Sequence, residues 1–485
     1  MEVKDLKPQL VWECFDAITK VPRPSCHEEQ IRAFLLDFAH KHSIAVRTDE
    51  VGNVVMSKPA VPGHENAPTV ILQAHMDMVA EKNNDTVHDF LKDPIETYID
   101  GDWVKARGTT LGADNGIGMA AAMAVLIDKD LVHGPVECLF TINEEIGLEG
   151  AQNLGKDMIT GSMLINLDSE DDGEIFVGCA GGIDTTAIFN YRRSIAPENF
   201  SYMKVSVSGL LGGHSGSDIN LGRGNANKLV ARFIWECSQK WPVEVCSFDG
   251  GNLRNAIPRE ACAVFGVEAA HKEALTRAMD KYAKEIRNEY KGVEPSMEFR
   301  IEDVERPEFC IDSETSVALV RAIYSAPHGV YSMSRDIEGL VETSTNLAAV
   351  KMLDDNKIRI TTSQRSSVES RKNDMAGQVE AHFQLAGAEV SHSDGYPGWA
   401  PNMQSTIMKL SADAYEELFG VKPAIKAIHA GLECGLFLSK YPNLDMVSFG
   451  PTMTGVHSPD EKLNIPTVDK FWKHLCKVLE KVAAL

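Results

Sequence analysis

The stretch Thr69–Val79, with the sequence TVILQAHMDMV, constrains the fold of this chain more than any other. It begins as an unbroken apolar run with β-branched residues, which is typical of a strand buried on both faces of a sheet. The run then ends in His75 and Asp77. Because side chains two residues apart on an extended chain point to the same side, these two can face one site. The stretch therefore predicts a central strand that ends at a polar site.

Three further segments place acidic side chains after apolar or glycine-rich sequence. They are Leu111–Gly118 (LGADNGIG), Phe140–Glu145 (FTINEE) and Leu164–Asp168 (LINLD). In open α/β sheets, sites form beyond the carboxyl ends of the strands, so we expect these acids to meet His75 and Asp77. Helical patterns, such as the small-residue run Asn115–Ile127, alternate with the strands. This alternation predicts an α/β layer fold with a mostly parallel sheet.

The hydrophobic pattern changes twice along the chain. A length of 485 residues exceeds what one hydrophobic core usually supports. Between residues 183 and 394 the strands alternate apolar and polar residues, as in Tyr202–Ser208, which is typical of a sheet with one solvated face. After that the α/β pattern resumes. We therefore predict a first domain made of residues 1–182 and 395–485, with an α+β domain, residues 183–394, inserted into it.

Composition excludes several classes of protein. The formal net charge of −22 argues against nucleic-acid binding and against attachment to a membrane surface, which both need basic patches. Ten cysteines are scattered without a C-x-x-C pair, as in proteins of a reducing compartment. The N-terminal sequence lacks the features of a signal peptide, and no apolar run approaches the roughly 20 residues that span a bilayer. We therefore expect a soluble cytoplasmic protein with no nucleic-acid or membrane partner.

A local prediction concerns the start of an early helix. Ser25 and Glu28 have the spacing of a capping box, in which two side chains satisfy the first backbone N–H groups of a helix. We therefore predict that Ser25 is the N-cap of a helix that continues to about Lys41.

Five side chains have the chemistry and placement of metal ligands. They are His75, Asp114, Glu145, Asp168 and His457. Imidazole nitrogen and carboxylate oxygen suit zinc and similar cations, and no cysteine lies in the segments that contribute these ligands. Two histidines and three carboxylates suit two ions about 3.5–4 Å apart that share one carboxylate, as in several hydrolases. The pattern predicts a two-metal hydrolytic site.

Two acids remain beside these ligands. Asp77 is placed to hydrogen-bond the imidazole of His75 and so fix its tautomer. Glu144 is placed to act as the general base that takes a proton from water and passes it to the leaving amine. A pair of adjacent glutamates is by itself more typical of the solvated start of a loop. The combination with the other segments favours the catalytic interpretation.

These motifs resemble those of the M20 family of di-zinc peptidases and amidohydrolases. The matching motifs are Ala74–Asp77 (AHMD), Gly112–Gly116 (GADNG), Asn143–Glu145 (NEE), Leu167–Asp168 (LD) and Gly455–His457 (GVH). The longer runs Val104–Gly118, Asn252–Arg259 and His429–Gly435 are similar to the aminoacyl-histidine dipeptidase branch of that family. The resemblance covers essentially the whole chain.

The resemblance implies a division of the ligands between two metals. His75 and Asp168 would hold one ion, Glu145 and His457 would hold the other, and Asp114 would bridge them. It implies the same functions for Glu144 and Asp77 as their positions do.

The inserted domain would then be the family's lid. In the segment Gly212–Gly216 (GGHSG), His214 would polarise the scissile carbonyl. Asn255 would bind the substrate's oxygen, and Arg365 its free carboxylate.

Other residues are open candidates for the substrate-binding site. Arg254 or Arg259 could bind the substrate carboxylate in place of Arg365. His429 and Glu433 lie in a stretch that family members use to line the substrate site, and Glu433 is our candidate for a substrate-binding residue there.

The implied function is that of a metal-dependent dipeptidase acting on small dipeptides, including the Xaa-His type. It would use two Zn²⁺ ions per chain, which Co²⁺ or Mn²⁺ can replace. An N-acyl-amino-acid amidohydrolase of the same family would share every metal ligand, so this alternative stays open. A non-catalytic metal-binding protein is disfavoured because Glu144 and Asp77, which are not ligands in this scheme, are both present. We also expect a homodimer.

Overall fold

The computed structural model describes residues 2–485, which form two compact units. The first unit contains the chain up to Cys179, together with Trp399–Ala427 and Leu432–Leu485. The second contains Ala180–Gly398 and the short segment Ile428–Gly431. The domain boundaries expected from the sequence, 182/183 and 394/395, both fall inside the second unit.

The first part of the chain, up to Cys179, alternates helices with short strands. Its elements are α1 (Gln9–Ile18), α2 (Glu29–His42), β1 (Ala45–Thr48), β2 (Val54–Lys58), β3 (Val70–His75), β4 (Thr97–Asp100), β5 (Trp103–Ala106), α3 (Ala113–Ile127), β6 (Val136–Thr141), α4 (Glu144–Gly147), α5 (Glu149–Asn153), β7 (Met163–Asn166) and β8 (Glu174–Cys179).

The second unit is richer in strands. Its elements are β9 (Gly181–Asn190), β10 (Arg193–Ile195), β11 (Phe200–Ser208), β12 (Gly213–His214), α6 (Ala226–Ser238), β13 (Val243–Gly250), β14 (Ala256–Ile257), β15 (Ala261–Glu268), α7 (Lys272–Glu289), β16 (Glu298–Val304), β17 (Phe309–Ile311), α8 (Ser313–Ser325), β18 (Gly329–Met333), β19 (Val341–Leu353), β20 (Lys357–Ser366), α9 (Glu369–Leu385) and β21 (Glu389–His392).

The last part of the chain, apart from Ile428–Gly431, returns to the first unit. Its elements are α10 (Thr406–Phe419), β22 (Ala424–Ile428), α11 (Glu433–Lys440), β23 (Asp445–Ser448), β24 (Met453–Thr454), β25 (Lys462–Asn464) and α12 (Ile465–Ala483).

An eight-stranded mixed sheet forms the centre of the first unit, in the order β1-β2-β6-β3-β7-β23-β8-β22. Its middle strands run parallel, because β3 pairs in parallel with β6 and β7, and β7 pairs in parallel with β23. Every residue of β3, β6 and β7 is buried, as expected for strands covered on both faces. The predicted α/β class and central strand are confirmed, although the outer strands β1, β2 and β8 pair antiparallel.

A larger antiparallel sheet forms the second unit. Its strands follow the order β16-β11-β15-β13-β19-β20-β9-β21, with β18 paired to β19. Burial alternates along β11, so one face of that strand packs inward, as the alternating pattern predicted. Residues of α6, α7, α8 and α9 pack with the buried strand residues in one apolar core. This is the α+β architecture expected for this part of the chain.

The capping-box prediction at Ser25 is wrong. Helix α2 begins at Glu29 with Glu28 as its N-cap, and Cys26 has a positive φ of 67°. The hydroxyl of Ser25 donates to Asp77 Oδ2 at 2.8 Å instead. Glu28 accepts the backbone N–H of Asn143 at 3.1 Å. Both side chains hydrogen-bond buried polar groups. Leaving such buried groups without a partner would cost more free energy than leaving the N–H groups of an exposed helix end to water.

None of the helices within residues 2–485 combines enough length with enough apolar character to cross a bilayer.

Candidate active site

The carboxyl ends of three neighbouring strands place acidic side chains together in the first unit. Strand β3 ends at His75, and its parallel partner β7 is followed by Leu167 and Asp168. Strand β6 is followed by a turn in which Asn143 has a positive φ of 50°, and Glu144 and Glu145 come directly after it. Parallel pairing puts these ends at one edge of the sheet, as the sequence pattern predicted.

One carboxylate lies between the two predicted histidine ligands. Asp114 belongs to the turn that opens α3, and His457 follows β24. The Nε2 atom of His75 is 3.0 Å from Asp114 Oδ1, and the Nε2 atom of His457 is 3.1 Å from Asp114 Oδ2. The two oxygens of a single carboxylate therefore face different imidazoles.

Each histidine also faces a second acid. Asp168 Oδ1 is 3.4 Å from His75 Nε2, and Glu145 Oε2 is 3.0 Å from His457 Nε2. Side chains whose ligand atoms lie within 4.8 Å of one another form three groups: His75, Asp114 and Asp168; Asp114, Glu145 and His457; and His75, Glu144 and Glu145. The first two groups share Asp114, which gives the arrangement expected of two ions with one shared carboxylate.

Burial of so many acids perturbs their protonation. Burial raises the pKa of Asp168 to about 7, although the neighbouring imidazole of His75 acts in the opposite direction. Burial likewise raises the pKa of Glu144 well above its ordinary value. Hydrogen bonds to Asp114 and Glu145 raise the pKa of His457 to about 11. Acids crowded together in this way favour bound positive charge.

The donor set fits a divalent cation. Glu145 Oε1 is buried without a hydrogen-bond partner, and buried Asp168 Oδ1 has only the long contact of 3.4 Å with His75 Nε2, which is costly for carboxylate oxygens unless a cation satisfies them. The side chains of Glu145 and Asp168 are only 5% and 8% exposed, so bulk water has little access to these oxygens. Nitrogen and oxygen donors of this kind suit zinc, cobalt and manganese.

Asp77 connects two of the ligand segments. Its Oδ1 is 3.3 Å from His75 Nδ1, and its carboxylate accepts the backbone N–H groups of Glu144 at 3.0 Å and Glu145 at 3.3 Å. The hydroxyl of Ser25 adds a fourth contact. With Nδ1 of His75 directed at Asp77, the Nε2 atom is left to face Asp114 and Asp168.

Two charged residues near the ligands were missed by the sequence reasoning. Arg23, which is 1% exposed, donates from Nη1 to the carbonyl oxygens of Met76 at 3.1 Å and Asp77 at 2.8 Å, and from Nη2 to that of Gly112. A Cβ atom at Gly112 or Gly116 would lie within 2.7 Å of Arg23 Nη2. The two glycines of the GADNG motif therefore make room for this guanidinium.

The second missed residue is Glu461, which is 2% exposed. Its carboxylate accepts the backbone N–H groups of all four residues in Leu111–Asp114. Arg23 and Glu461 both bind backbone groups of distant segments, and no residue pattern encodes such partners. The sequence feature that comes closest to pointing to Glu461 is its position four residues after the candidate ligand His457.

Glu433 also lies in the first unit, at the start of α11. It is 1% exposed, and its Oε2 accepts hydrogen bonds from Gln73 Nε2 at 2.5 Å and Thr141 Oγ1 at 3.0 Å. Its Oε1 is buried without a partner, and burial raises the pKa of Glu433 to about 8. Since Gln73 precedes His75 by two residues, Glu433 contacts the same strand that ends in a ligand.

In the second unit, His214 is held in a defined tautomer. Its Nδ1 faces the backbone N–H groups of Gly216 at 3.3 Å and Ser217 at 3.1 Å, so Nδ1 accepts and the ring hydrogen is on Nε2. Burial, followed by the positive charge of Arg365, lowers the pKa of His214 to about 4. The imidazole is therefore a neutral hydrogen-bond donor near pH 7.

Arg365 lies in the same unit and is 4% exposed. Its Nε donates to Ser215 Oγ at 3.4 Å, and its Nη1 donates to Tyr396 Oη at 2.9 Å. The backbone N–H of Ser215 donates to the carbonyl oxygen of Asn255 at 2.8 Å, and Asn255 is itself exposed. The structure thus connects the GGHSG segment, Arg365 and the backbone at Asn255.

The other candidates lie in different surroundings. The side chain of Arg254 is 56% exposed and pairs with Asp184, whereas Arg259 donates to the carbonyl oxygen of Leu210. Neither shares the burial of Arg365.

His429 belongs to the short segment of the second unit, although the sequence placed it with the last part of the first domain. It is 5% exposed, and its Nε2 is 2.7 Å from Ser344 Oγ. Burial, followed by Arg365 and His214, lowers its pKa to about 3.

Comparisons with known proteins agree with this geometry. Residues 71–481 match the sequence profile of peptidase family M20/M25/M40. The chain is 44% identical over 483 residues to the cytosol non-specific dipeptidase of Escherichia coli K12, which covers 100% of this chain and 99% of that protein.

Solved structures of peptidases are similar to this chain as well. The crystal structure of aminoacylhistidine dipeptidase from Vibrio alginolyticus superimposes with a TM-score of 0.92 at 44% identity, covering 99% of this chain and 98% of that one. An aminopeptidase PepT from Bacillus cereus, at 16% identity and a TM-score of 0.58, covers 99% of each chain and shares the fold.

Proposed function

Because this chain belongs to peptidase family M20/M25/M40 and is a metal-dependent hydrolase of peptide bonds, we propose that its substrates are dipeptides, including the Xaa-His type. The observation that supports the metal-dependent chemistry is the carboxylate of Asp114, whose two oxygens face His75 and His457. The names of the two relatives that match over the full length support the choice of dipeptides.

We propose two zinc ions per chain, with cobalt or manganese as possible replacements. His75 and Asp168 would hold one ion, Glu145 and His457 the other, and Asp114 would be shared. The close groups of ligand atoms and the unpartnered oxygens of Asp168 and Glu145 support this division. When bound, such ions supply Lewis acidity that activates a water and polarises the scissile carbonyl.

Glu144 is the proposed general base. Its backbone is fixed by the hydrogen bond to Asp77, and its raised pKa means that the carboxylate accepts a proton readily. It would take the proton of the attacking water and then deliver it to the amine that leaves. Asp77 would hold His75 in the tautomer that leaves Nε2 free to bind metal.

His214 is the proposed donor to the carbonyl oxygen of the scissile bond. A neutral imidazole with its hydrogen on Nε2 can donate to this oxygen as negative charge develops in the transition state. The hydrogen bonds from Gly216 and Ser217 to Nδ1 support this assignment, because they require that tautomer.

Arg365 is the proposed partner of the substrate's free carboxylate. An arginine has five N–H donors, and the hydroxyls of Ser215 and Tyr396 use two of them. The remaining three can bind a carboxylate in the bidentate manner that guanidinium groups favour. We keep Asn255 and Glu433 as further candidates for contact with the substrate.

The role of the inserted domain as a lid, the homodimer and the cytoplasmic location stay proposals. The word cytosol in the name of the E. coli relative and the ten free cysteines support the location. Mixing a His214 variant with a Glu144 variant, each inactive alone, tests whether two chains share a site. Recovered activity requires an active site with residues from both chains of a dimer.

The competing function is hydrolysis of N-acylated amino acids, which would use the same metal ligands. A panel of dipeptides and N-acetyl amino acids, assayed with and without a chelator, separates the two. We expect dipeptide hydrolysis that the chelator abolishes. Faster turnover of the N-acetyl amino acids would favour the amidohydrolase, and binding of metal without turnover of any substrate would favour a non-catalytic protein.

A further inference from the structure

Glu461 binds four consecutive backbone N–H groups with a single carboxylate. Its Oε2 accepts from Leu111 at 2.7 Å and Gly112 at 3.0 Å, and its Oε1 accepts from Ala113 at 2.7 Å and Asp114 at 3.3 Å. The side chain is 2% exposed, so water does not compete for these donors. The carboxylate therefore fixes the path of the whole turn from Leu111 to Asp114.

This turn determines where the carboxylate of Asp114 points. The first N–H groups of a helix have no acceptor within the helix, and burying them without a partner is costly. At the start of α3, Glu461 supplies that acceptor, and Gly112 adopts the positive φ of 69° that the turn requires. Asp114, the last of the four residues, is the one whose side chain contacts both His75 and His457.

Glu461 also belongs to the segment that contains His457. Its own N–H donates to the carbonyl oxygen of Ser458 at 3.0 Å, which closes a turn directly after that histidine. The next residue, Lys462, begins β25, which pairs with β5. The strand fixes the position of Glu461, and Glu461 in turn fixes Asp114 relative to His457, although 343 residues separate these two ligands.

We propose that Glu461 is a positioning residue that sets the metal affinity of the site by fixing Asp114 against His457. Both of its carboxylate oxygens bind backbone N–H groups, so it acts through the backbone of the Leu111–Asp114 turn and not as a ligand. The inference rests on the proposed metal-dependent function. The buried carboxylate of Glu461 also strengthens metal binding directly, because its negative charge favours a nearby cation.

The test is the substitution Glu461→Gln, which keeps the size of the side chain but replaces one acceptor oxygen with a donor facing backbone N–H groups. Loss of such a supporting group typically weakens metal binding by about 10–100-fold. Metal-free protein is titrated with zinc in competition with a chromophoric chelator, which yields the number of ions and their dissociation constants without any activity assay. We expect the dissociation constant of at least one ion to rise by that factor.

Glu137→Gln is the matched control. Glu137 is 4% exposed and accepts the backbone N–H groups of Thr160 at 2.8 Å and Gly161 at 3.1 Å, with further contacts to Arg47. Its partners contribute no metal ligand. Both variants should lower the thermal midpoint of the metal-free protein, but only Glu461→Gln should change the dissociation constants for zinc.

The outcomes separate the inference from the proposed function. If the wild type binds two ions and Glu461→Gln binds both with unchanged affinity, the positioning role is wrong. If the wild type binds no zinc, the proposed function itself is wrong. If Glu461→Gln does not fold, Glu461→Asp is titrated instead, because it keeps the charge with a shorter reach. A several-fold loss of affinity supports the inference, and an unchanged affinity overturns it.

Discussion

Replacing Arg365 with methionine should selectively weaken substrates that have a free carboxylate. Methionine fills much of the same space without charge, so the buried site loses its donors, and the hydroxyls of Ser215 and Tyr396 lose one hydrogen bond each. Two charge-assisted hydrogen bonds of about 1.5 kcal/mol each amount to about 3 kcal/mol, or a loss of about 10²-fold in kcat/KM. Most of the loss should appear in KM, because a carboxylate remote from the reacting bond is bound equally in the ground and transition states.

The assay compares each dipeptide with the same dipeptide amidated at its C-terminus. The wild type should prefer the free acid, and Arg365→Met should abolish that preference. Arg254→Met is the control, since that side chain is 56% exposed and its ion pair with Asp184 is worth at most about 1 kcal/mol. An equal loss for the acid and the amide in Arg365→Met would refute the assignment.

Three further predictions concern other groups. Glu144→Gln should lower kcat by about 10² or more and keep the metal content, whereas Glu145→Ala should lose one ion; metal loss from both variants would contradict the division of their functions. His214→Ala should lower kcat by about 10²–10³ with both ions and the thermal midpoint retained, and near-normal turnover would make this residue structural. Burial lowers the pKa values of His328 and His429 to about 3, so below pH 6.5 the unfolded chain binds protons that the folded protein does not. The free energy of unfolding should therefore fall by about 1.4 kcal/mol per pH unit for each of them between pH 6.5 and 3, and the slope measured by denaturant titration should decrease when either is replaced with glutamine.

The central strand shows why part of the fold could be predicted. The run Thr69–Ala74 was expected to form a buried strand, and the structure has β3 at Val70–His75. A run that is apolar on both faces can only be buried from both sides, which leaves a parallel strand between helical layers as the natural solution. The polar residues that follow such strands must then meet at one edge, and His75, Glu145 and Asp168 do so.

The supporting contacts could not be predicted in the same way. Ser25 matched a capping box but donates to Asp77, and Arg23 and Glu461 bind backbone groups of segments far away in the sequence. Sequence spacing determines which side chains share a face of one element, but a contact between a side chain and a distant backbone depends on the assembled fold. The segment Ile428–Gly431 joined the second unit for the same reason. Its only sequence signal was a short glycine-containing stretch.

The number of metal ions per chain tests the central claim most directly. Metal-free protein is loaded with zinc, desalted and analysed for metal and for dipeptide hydrolysis in the same samples. The shared carboxylate of Asp114 predicts two ions per chain at full activity, and the replacement Asp114→Ala should lose both metal and turnover. Full activity with a reproducible content of one ion per chain, or none, would contradict the two-metal site.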